Sequence, residues 1–387
     1  MNPYASRLAD WRAHGLARDL RPLGGPQGPL LAVAQEHFLA FCSNDYLGLA
    51  NEPRVREAAH EALERYGFGA GASALVCGYY ALVAELEATL AEWLGQPRAL
   101  VFSSGYAAHV GTIPALVDQE TAVFSDALNH ASMIDGVRLA RPGQLSVFPH
   151  NDLVALEAAL QGCSLPYRWI LTEGVFSMDG DQAPLAGMVA LAEQYDAWIL
   201  LDDAHGLGVL GEQGRGSMSH QGVTSSRVLH MATLGKAMGT AGAFVAGDAD
   251  IIEWIAQRAR THMFSTALPP MVAGATHVAL KLLRHEEWRR KNLQQLGQQL
   301  QQGLMSTGLA LQPSQSAIHP LILGDNPRAM AAAAWLRAQG LWVAAIRPPS
   351  VPMGTSRLRI SLSARHTPEQ VEQLIEGLKQ WQESEHV

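Results

Sequence analysis

Lys236 is the only lysine or arginine between Arg227 and Arg258, and its sequence neighbours are Leu234, Gly235, Ala237 and Met238. A lysine in apolar company loses hydration, which disfavours the ammonium and leaves a nucleophilic amine near neutral pH. Upstream, Asp202-Asp203-Ala204-His205 closes the apolar run Trp198–Leu201. A carboxylate there is costly to bury unless a cation meets it, and a protonated heterocyclic nitrogen is such a cation. Reading Asp202 and His205 as metal ligands requires further His or Cys partners at ligand spacing, and none is evident.

Three more segments fall after strand-like runs. Ser103-Ser104-Gly105-Tyr106 precedes a helical pattern, and exposed amides at such a start suit a phosphate. Asn129-His130 follows the run Ala122–Ser125, and Thr172–Gly180 follows Trp169–Thr172. Each has a plain alternative when taken singly: a Ser cap, a loop histidine, a solvated acidic turn, a snorkelling lysine. Taken in order, they supply a phosphate cradle, an imidazole plate, a carboxylate for a ring nitrogen, a histidine near a ring hydroxyl, and a Schiff-base lysine. One ligand uses that set, pyridoxal 5'-phosphate.

The elements that must position these groups alternate short apolar runs with amphipathic stretches. Strands are predicted at Ala99–Phe102, Ala122–Ser125, Leu145–Phe148, Trp169–Thr172, Trp198–Leu201, Val228–Met231 and Gly242–Ala246. Helices are predicted at Tyr106–Val117, Ser132–Arg141, Leu153–Leu160 and Met188–Tyr195. This order specifies an α/β fold, a mostly parallel central sheet flanked by helices, with ligands at the strands' carboxyl ends. After about residue 270 the pattern becomes that of a smaller α+β unit. It has helices at Pro270–His285, Glu286–Ser306, Arg328–Gln339 and Pro368–Glu383, and short strands at Ile318–Leu323, Leu341–Ile346 and Leu358–Ser361. The expected division is 1–40, a helical arm plus a turn; 41–270, the cofactor-binding unit; and 271–387, the C-terminal unit.

Composition bounds the class. Hydrophobic residues at 48% of 387 supply a large core, and a net charge of −8 gives no basic footprint for nucleic acid or anionic membrane. Uncharged windows such as Tyr66–Ala84 and Ala99–Val117 are broken by Gly, Ser, His or Pro and read as core and site loops, not membrane spans. Cys42, Cys77 and Cys163 are too few and too scattered for a disulfide framework, and the amino terminus lacks an apolar signal core; a soluble cytoplasmic protein is expected. Gly206–Gly211 matches G-x-G-x-x-G. The third glycine leads into Gly214 and Gly216, and no acidic residue occurs between Glu212 and Asp248, so a dinucleotide site is not expected.

Across nearly its whole length the chain resembles the α-oxoamine synthases of the fold-type-I pyridoxal-phosphate enzymes. The resemblance runs through Phe41–Leu49, Thr172–Gly180, Asp202–Gly206, Gly211–Gly216 and Ala345–Arg359. It implies that Lys236 holds the cofactor and moves the Cα proton, that His130 stacks on its ring, and that Asp202 pairs with the ring nitrogen. His205 and Ser177 would meet the ring-oxygen region, and Gly105, Tyr106 and Thr233 would also bind the cofactor. Thr266 resembles a residue that reaches the phosphate from a partner subunit, which implies a homodimer with shared sites. Arg359 would clamp the amino-acid carboxylate, and Arg21 and Ser350 match acyl-substrate positions. Tyr106 and Ser350 stand where relatives show Phe or Thr.

Within the family, Ala345–Arg359 and the lack of a long amino-terminal extension point to the biotin-biosynthesis branch. Its reaction is the decarboxylative condensation of L-alanine with a pimeloyl thioester of CoA or acyl carrier protein. Sister activities such as glycine C-acetyltransferase or 5-aminolevulinate synthase share the cofactor residues. A non-catalytic subunit is the third reading, and intact Lys236, Asp202 and His130 speak against it.

Overall fold

The computed structural model describes residues 2–14 and 16–385. Met1, Gly15, His386 and Val387, which fall inside the expected arm and C-terminal unit, lie outside the described residues. Helix Pro3–Ala13 opens the chain, its N-cap Asn2 accepting the Tyr4 N–H. Residues 30–40, expected within a helical arm plus a turn, instead form an antiparallel hairpin of β1 (Leu30–Val33) and β2 (Glu36–Ala40). Strands this short give too little alternation to be legible in sequence.

The main sheet has seven strands: β3 (Arg98–Phe102), β4 (Thr121–Asp126), β5 (Gln144–Phe148), β6 (Tyr167–Glu173), β7 (Trp198–Asp202), β8 (Val228–Thr233) and β9 (Ala243–Gly247). Their spatial order is β3-β9-β8-β7-β6-β4-β5. β9 runs antiparallel to both its neighbours, and the other pairings are parallel. These are the seven strands expected from sequence, with ends moved by a residue or two.

Alternation along the strands assigns the two faces. Leu100, Val123, Leu171, Leu200 and Leu229 pack one way, with Ala108, Ile113 and Met133 of helices Gly105–Leu116 and Ala131–Ala140. Phe124, Ile170, Ile199 and Leu201 pack the other way, with Leu156 and Met188 of helices Leu153–Gln161 and Leu185–Gln194. Each such fully buried aliphatic side chain contributes on the order of 1.5–3 kcal/mol. A sheet covered on both faces leaves its strand ends as the place where polar groups gather.

Helices Pro270–His285 and Glu287–Leu304 lead into β10 (Ile318–Gly324). The expected strand at 341–346 is two strands, β11 (Leu341–Trp342) and β12 (Ala344–Ile346). β11 pairs parallel with β2, while β12 joins β10 and β13 (Ser356–Ser361). Val343, buried between them, marks where the chain leaves one sheet for the other. Helix Pro368–Ser384 closes the unit, started by a capping box of Thr367 and Gln370. No helix among the described residues is long and apolar enough to cross a membrane.

Candidate active site

Asp202 is the last residue of β7 and Glu173 the last of β6, and the two are register partners. Thr233 ends the adjacent β8, and the turn after it carries Lys236. Parallel pairing thus gathers residues far apart in sequence at one sheet edge.

The Lys236 Nζ lies 2.8 Å from Nε2 of buried His205. Nδ1 of His205 is 2.7 Å from the Tyr46 hydroxyl, which is 3.0 Å from Asn44 Oδ1. Donors and acceptors fit one way along this line. Lys236 donates to His205 Nε2, His205 Nδ1–H donates to Tyr46, and Tyr46 donates to Asn44. Arg359 closes the line, donating to Tyr46 at 3.3 Å and to Asn44 Oδ1 at 3.3 Å. Its Nε donates to the Ser177 carbonyl at 2.6 Å. Arg359 and Ser177 are therefore in direct contact, and both connect to Lys236 through Tyr46 and His205.

The electrostatics favour a free amine. Burial, then Arg359, lowers the Lys236 pKa to about 8, with Asp202 and Glu173 opposing. Burial and the neighbouring Lys236 push His205 well below its ordinary value, so its ring is neutral. Burial and the Asp202 charge hold Glu173 well above the usual carboxylate range. Of the adjacent pair of aspartates, Asp202 is the one whose charge bears on Lys236, Glu173 and His109. Asp203 instead holds Ser217 Oγ at 2.6 Å and His230 Nε2 at 3.0 Å. A Cβ on Gly206, the first glycine of the G-x-G-x-x-G stretch, would fall 2.1 Å from Asp203 Oδ1, and one on the later Gly216, whose φ is +89°, 1.9 Å from Asp203 Oδ2. That stretch thus opens a loop that closes on Asp203 at both ends, and no long helix opens there.

Pyridoxal phosphate fits the residues present. Asp202 Oδ1 accepts the Ala204 N–H at 2.9 Å, while Oδ2 has no hydrogen bond among the described residues and lies 3.6 Å from His109 Nε2. That carboxylate is left for a cation. Gly105 opens helix Gly105–Leu116, where Ser104 Oγ takes the Ala107 N–H and leaves the earlier amides of Gly105 and Tyr106 in the unpaired first turn. A Cβ on Gly105 would sit 3.3 Å from Met231 Cε and 3.8 Å from Thr233 Cβ, so the bare Cα keeps this cradle open beside Thr233. The Tyr106 hydroxyl is tied to Asp135 in the next helix. His130 caps that helix, its Nδ1 2.7 Å from Ser132 Oγ.

Two expected positions lie farther out. Ser350 accepts from Arg18 at 3.0 Å and so fastens the amino-terminal arm. Thr266 shares a crevice of about 30 Å³ with Ser103 and Tyr79, at the end of β3 and not among the neighbours of Lys236. Arg21 lines a cavity of about 690 Å³ together with Asn44, Gly235, Thr240 and Arg337. Arg337 lies over the Trp342 ring, and desolvation followed by the nearby Arg21 lowers its pKa. Sequence reasoning missed His109, Glu173 and Arg337 as site residues. His109 and Arg337 lie on helix faces that read as core and surface, and Glu173 sat unremarked inside a segment already singled out.

The family model for class I and II aminotransferases matches residues 36–378. An 8-amino-7-oxononanoate synthase of Herminiimonas arsenicoxydans is 49% identical, covering 97% of each chain. A serine palmitoyltransferase from S. paucimobilis, solved with bound PLP–myriocin, superimposes with a TM-score of 0.93 at 30% identity and 98% coverage of both chains. An 8-amino-7-oxononanoate synthase from Francisella tularensis gives a TM-score of 0.79 at 28% identity, over 90% of this chain and 99% of that one.

Proposed function

The chain belongs to the class I and II aminotransferase family, and from that premise we propose that it condenses L-alanine with a pimeloyl thioester, with loss of CO2, to give 8-amino-7-oxononanoate for biotin biosynthesis. The enzyme is a pyridoxal-phosphate-dependent acyltransferase of fold type I. The observation that carries the reading is the single line of contacts joining the Lys236 amine to the Arg359 guanidinium beside the Asp202 carboxylate.

When bound, pyridoxal phosphate supplies an electron sink for the charge that develops at the amino acid's Cα. Lys236 would hold it covalently through Nζ, and the same amine, its proton affinity lowered by burial, would be the base that takes the Cα proton. Asp202 would pair with the ring nitrogen and keep it protonated, and His130 would lie against the ring. The Gly105 and Tyr106 amides and Thr233 would address the phosphate, and His205 and Ser177 would meet the ring-oxygen region. Arg359 orients the alanine carboxylate, a planar task that suits its fork of donors. Arg21 and Arg337 put two guanidinium groups in the adjoining cavity, which favours an acyl chain ending in a carboxylate over a purely apolar one. Ser350 borders the acyl path.

A second copy of the chain completes the site in this reading. Phe68, Leu75, Val76 and Phe264 are exposed, and the Ala267 N–H bonds the Ala72 carbonyl, which joins segments 72–79 and 264–267 into one apolar surface beside Thr266. Covering it with a partner would bring a second Thr266 toward the phosphate. The units 1–40, 41–270 and 271–387 would then frame the cleft, in a cytoplasmic enzyme with reduced thiols. The test is alanine-dependent thiol release from acyl-CoA donors of graded length. Preference for a dicarboxylic pimeloyl donor supports the reading, and preference for acetyl-CoA with glycine moves the assignment to a sister synthase.

A further inference from the structure

The turn that carries Ser177 is gripped from two sides. Val175 bridges Gln182, the Phe176 N–H bonds the Asp181 carbonyl at 2.9 Å, and the Gly180 N–H bonds the Phe176 carbonyl at 2.8 Å, so residues 175–182 form one tight turn. From β13, Arg359 Nε donates to the Ser177 carbonyl at 2.6 Å, and Arg357 donates to the Met178 carbonyl at 3.1 Å and to the Asp179 carboxylate. From the main sheet, His150 holds the other end. It follows β5, and its Nε2 lies 2.8 Å from Asp181 Oδ2. Its ring packs edge-to-face with Phe176, the centroids 4.3 Å apart.

His150 spans two carboxylates. Its Nδ1 is 3.0 Å from Oδ1 of Asp126, the buried last residue of β4. Asp126 also accepts the Leu128 N–H at 2.8 Å and the Asn151 N–H at 2.9 Å, a set of donors that suits a carboxylate and offers no acceptor to a carboxyl proton. At the other end the Asn151 amide donates to the same Asp181 Oδ2 at 3.0 Å and to the Gln182 carbonyl at 3.2 Å, which uses both its hydrogens. That amide is 3.2 Å from His150 Nε2 and lies beside it as a fellow donor. An imidazole with a carboxylate at each nitrogen must donate from both, which only the imidazolium can do. Burial alone would lower the His150 pKa, but the bonds to Asp126 and Asp181 outweigh burial and raise it to about 10.

We propose that His150 is a positioning residue for alanine recognition: as an imidazolium it ties the 175–182 turn to the end of β4, and so fixes the Ser177 carbonyl that aims the Arg359 guanidinium. The proposal rests on the reading of Arg359 as the clamp for the amino-acid carboxylate. Arg359 reaches Tyr46 and Asn44 at 3.3 Å each, longer than its 2.6 Å bond to Ser177. Its other close partner, Ser361 at 2.8 Å, belongs to its own strand and cannot fix it relative to the main sheet. The turn therefore weighs most in where the guanidinium points. The Asp181 side chain is 39% exposed while that of Asp126 is wholly buried, so the turn can be released with the buried half of the clamp left in place.

The test titrates L-alanine into the pyridoxal-phosphate-loaded protein, read by absorbance, with cofactor affinity of the apo-protein measured alongside. Asp181→Ala should weaken alanine binding about five- to tenfold and leave cofactor affinity within about twofold, the loss of one half-exposed charged hydrogen bond. Asp181→Asn, whose Oδ1 still accepts from His150, should hold alanine to within about threefold of the wild type. Independently of any ligand, ¹⁵N NMR of the wild type should show both His150 nitrogens protonated at about pH 8, two units below its raised value. Wild-type alanine affinity in Asp181→Ala, an equal loss of alanine and cofactor affinity, or a neutral His150 at that pH would overturn the positioning role alone. A loaded wild-type protein that gives no response to L-alanine would overturn the positioning role and the functional reading together.

Discussion

The Nζ of Lys236 lies 2.8 Å from Nε2 of His205, and the imidazole that receives it is held from behind by Tyr46 at 2.7 Å. A neutral His205 accepts from the lysine without adding charge. The amine is thereby aimed while burial lowers its proton affinity. Aim and basicity are thus set by different neighbours.

Lys236→Ala should abolish covalent attachment of pyridoxal phosphate, read as loss of the borohydride-trapped adduct by mass spectrometry. Condensation should fall by about 10²–10⁴-fold or more, the span of a lost acid–base group. A trapped adduct persisting at another lysine would contradict the assignment.

The pH dependence of attachment follows from the lowered lysine. With a pKa of about 8, the amine is free above that value, so the rate at which apo-protein captures the cofactor should rise about tenfold between pH 7 and pH 9 and then level off. Stopped-flow absorbance measures it. A rate still climbing steeply beyond pH 10 would mean an ordinary, solvated lysine.

Arg359→Lys keeps the charge and loses the planar fork. The KM for L-alanine should rise by about ten- to a hundredfold while cofactor affinity changes little, matching the loss of a charge-assisted hydrogen bond. Equal damage to cofactor affinity and KM would instead point to collapse of the contacts with Ser177 and Tyr46.

Arg337→Gln should discriminate between donors. The KM for pimeloyl-CoA should rise by about tenfold, and that for heptanoyl-CoA, which has no terminal carboxylate, should stay within about twofold. Equal effects on both donors would remove the guanidinium pair from acyl recognition.

Stability has its own ionic centre in Glu52. It receives Arg289 at 2.9 Å, Arg54 at 2.8 Å and Arg365 at 2.6 Å, and Arg289 is itself fully buried. Burial pushes the Glu52 pKa up, but hydrogen bonds from Arg54 and Arg289 outweigh it and leave the carboxyl below its ordinary 4.5. The cluster therefore stabilises the fold above that pH and stops doing so as pH falls through the lower folded value. Glu52→Gln should cost about 1–3 kcal/mol at pH 7 by urea unfolding, because buried Arg289 loses one of its two carboxylates and keeps Glu286 at 2.8 Å. The difference from wild type should shrink as the pH is lowered below about 4.5.

Sequence patterning by itself determined the seven strands of the main sheet, the helices between them and the cofactor. The reason is local: alternation and strand–helix spacing are written in consecutive residues, and so are the Lys236, Asp202 and His205 motifs. Short pairings were not legible. The hairpin Leu30–Ala40 and the division at Val343 depend on which distant edge accepts each strand, since β2 finds its parallel partner some 300 residues away. The same holds within the site. Tyr46 was in view as part of a motif, but its place between His205 and Arg359 exists only once β7, β13 and the segment after β2 converge. His109 on an apolar helix face reads as core until parallel pairing sets Asp202 opposite its free nitrogen. Residue types fixed which chemistry was available, and tertiary packing decided which groups are desolvated together. Desolvation is a property of the assembled neighbourhood and not of any one segment.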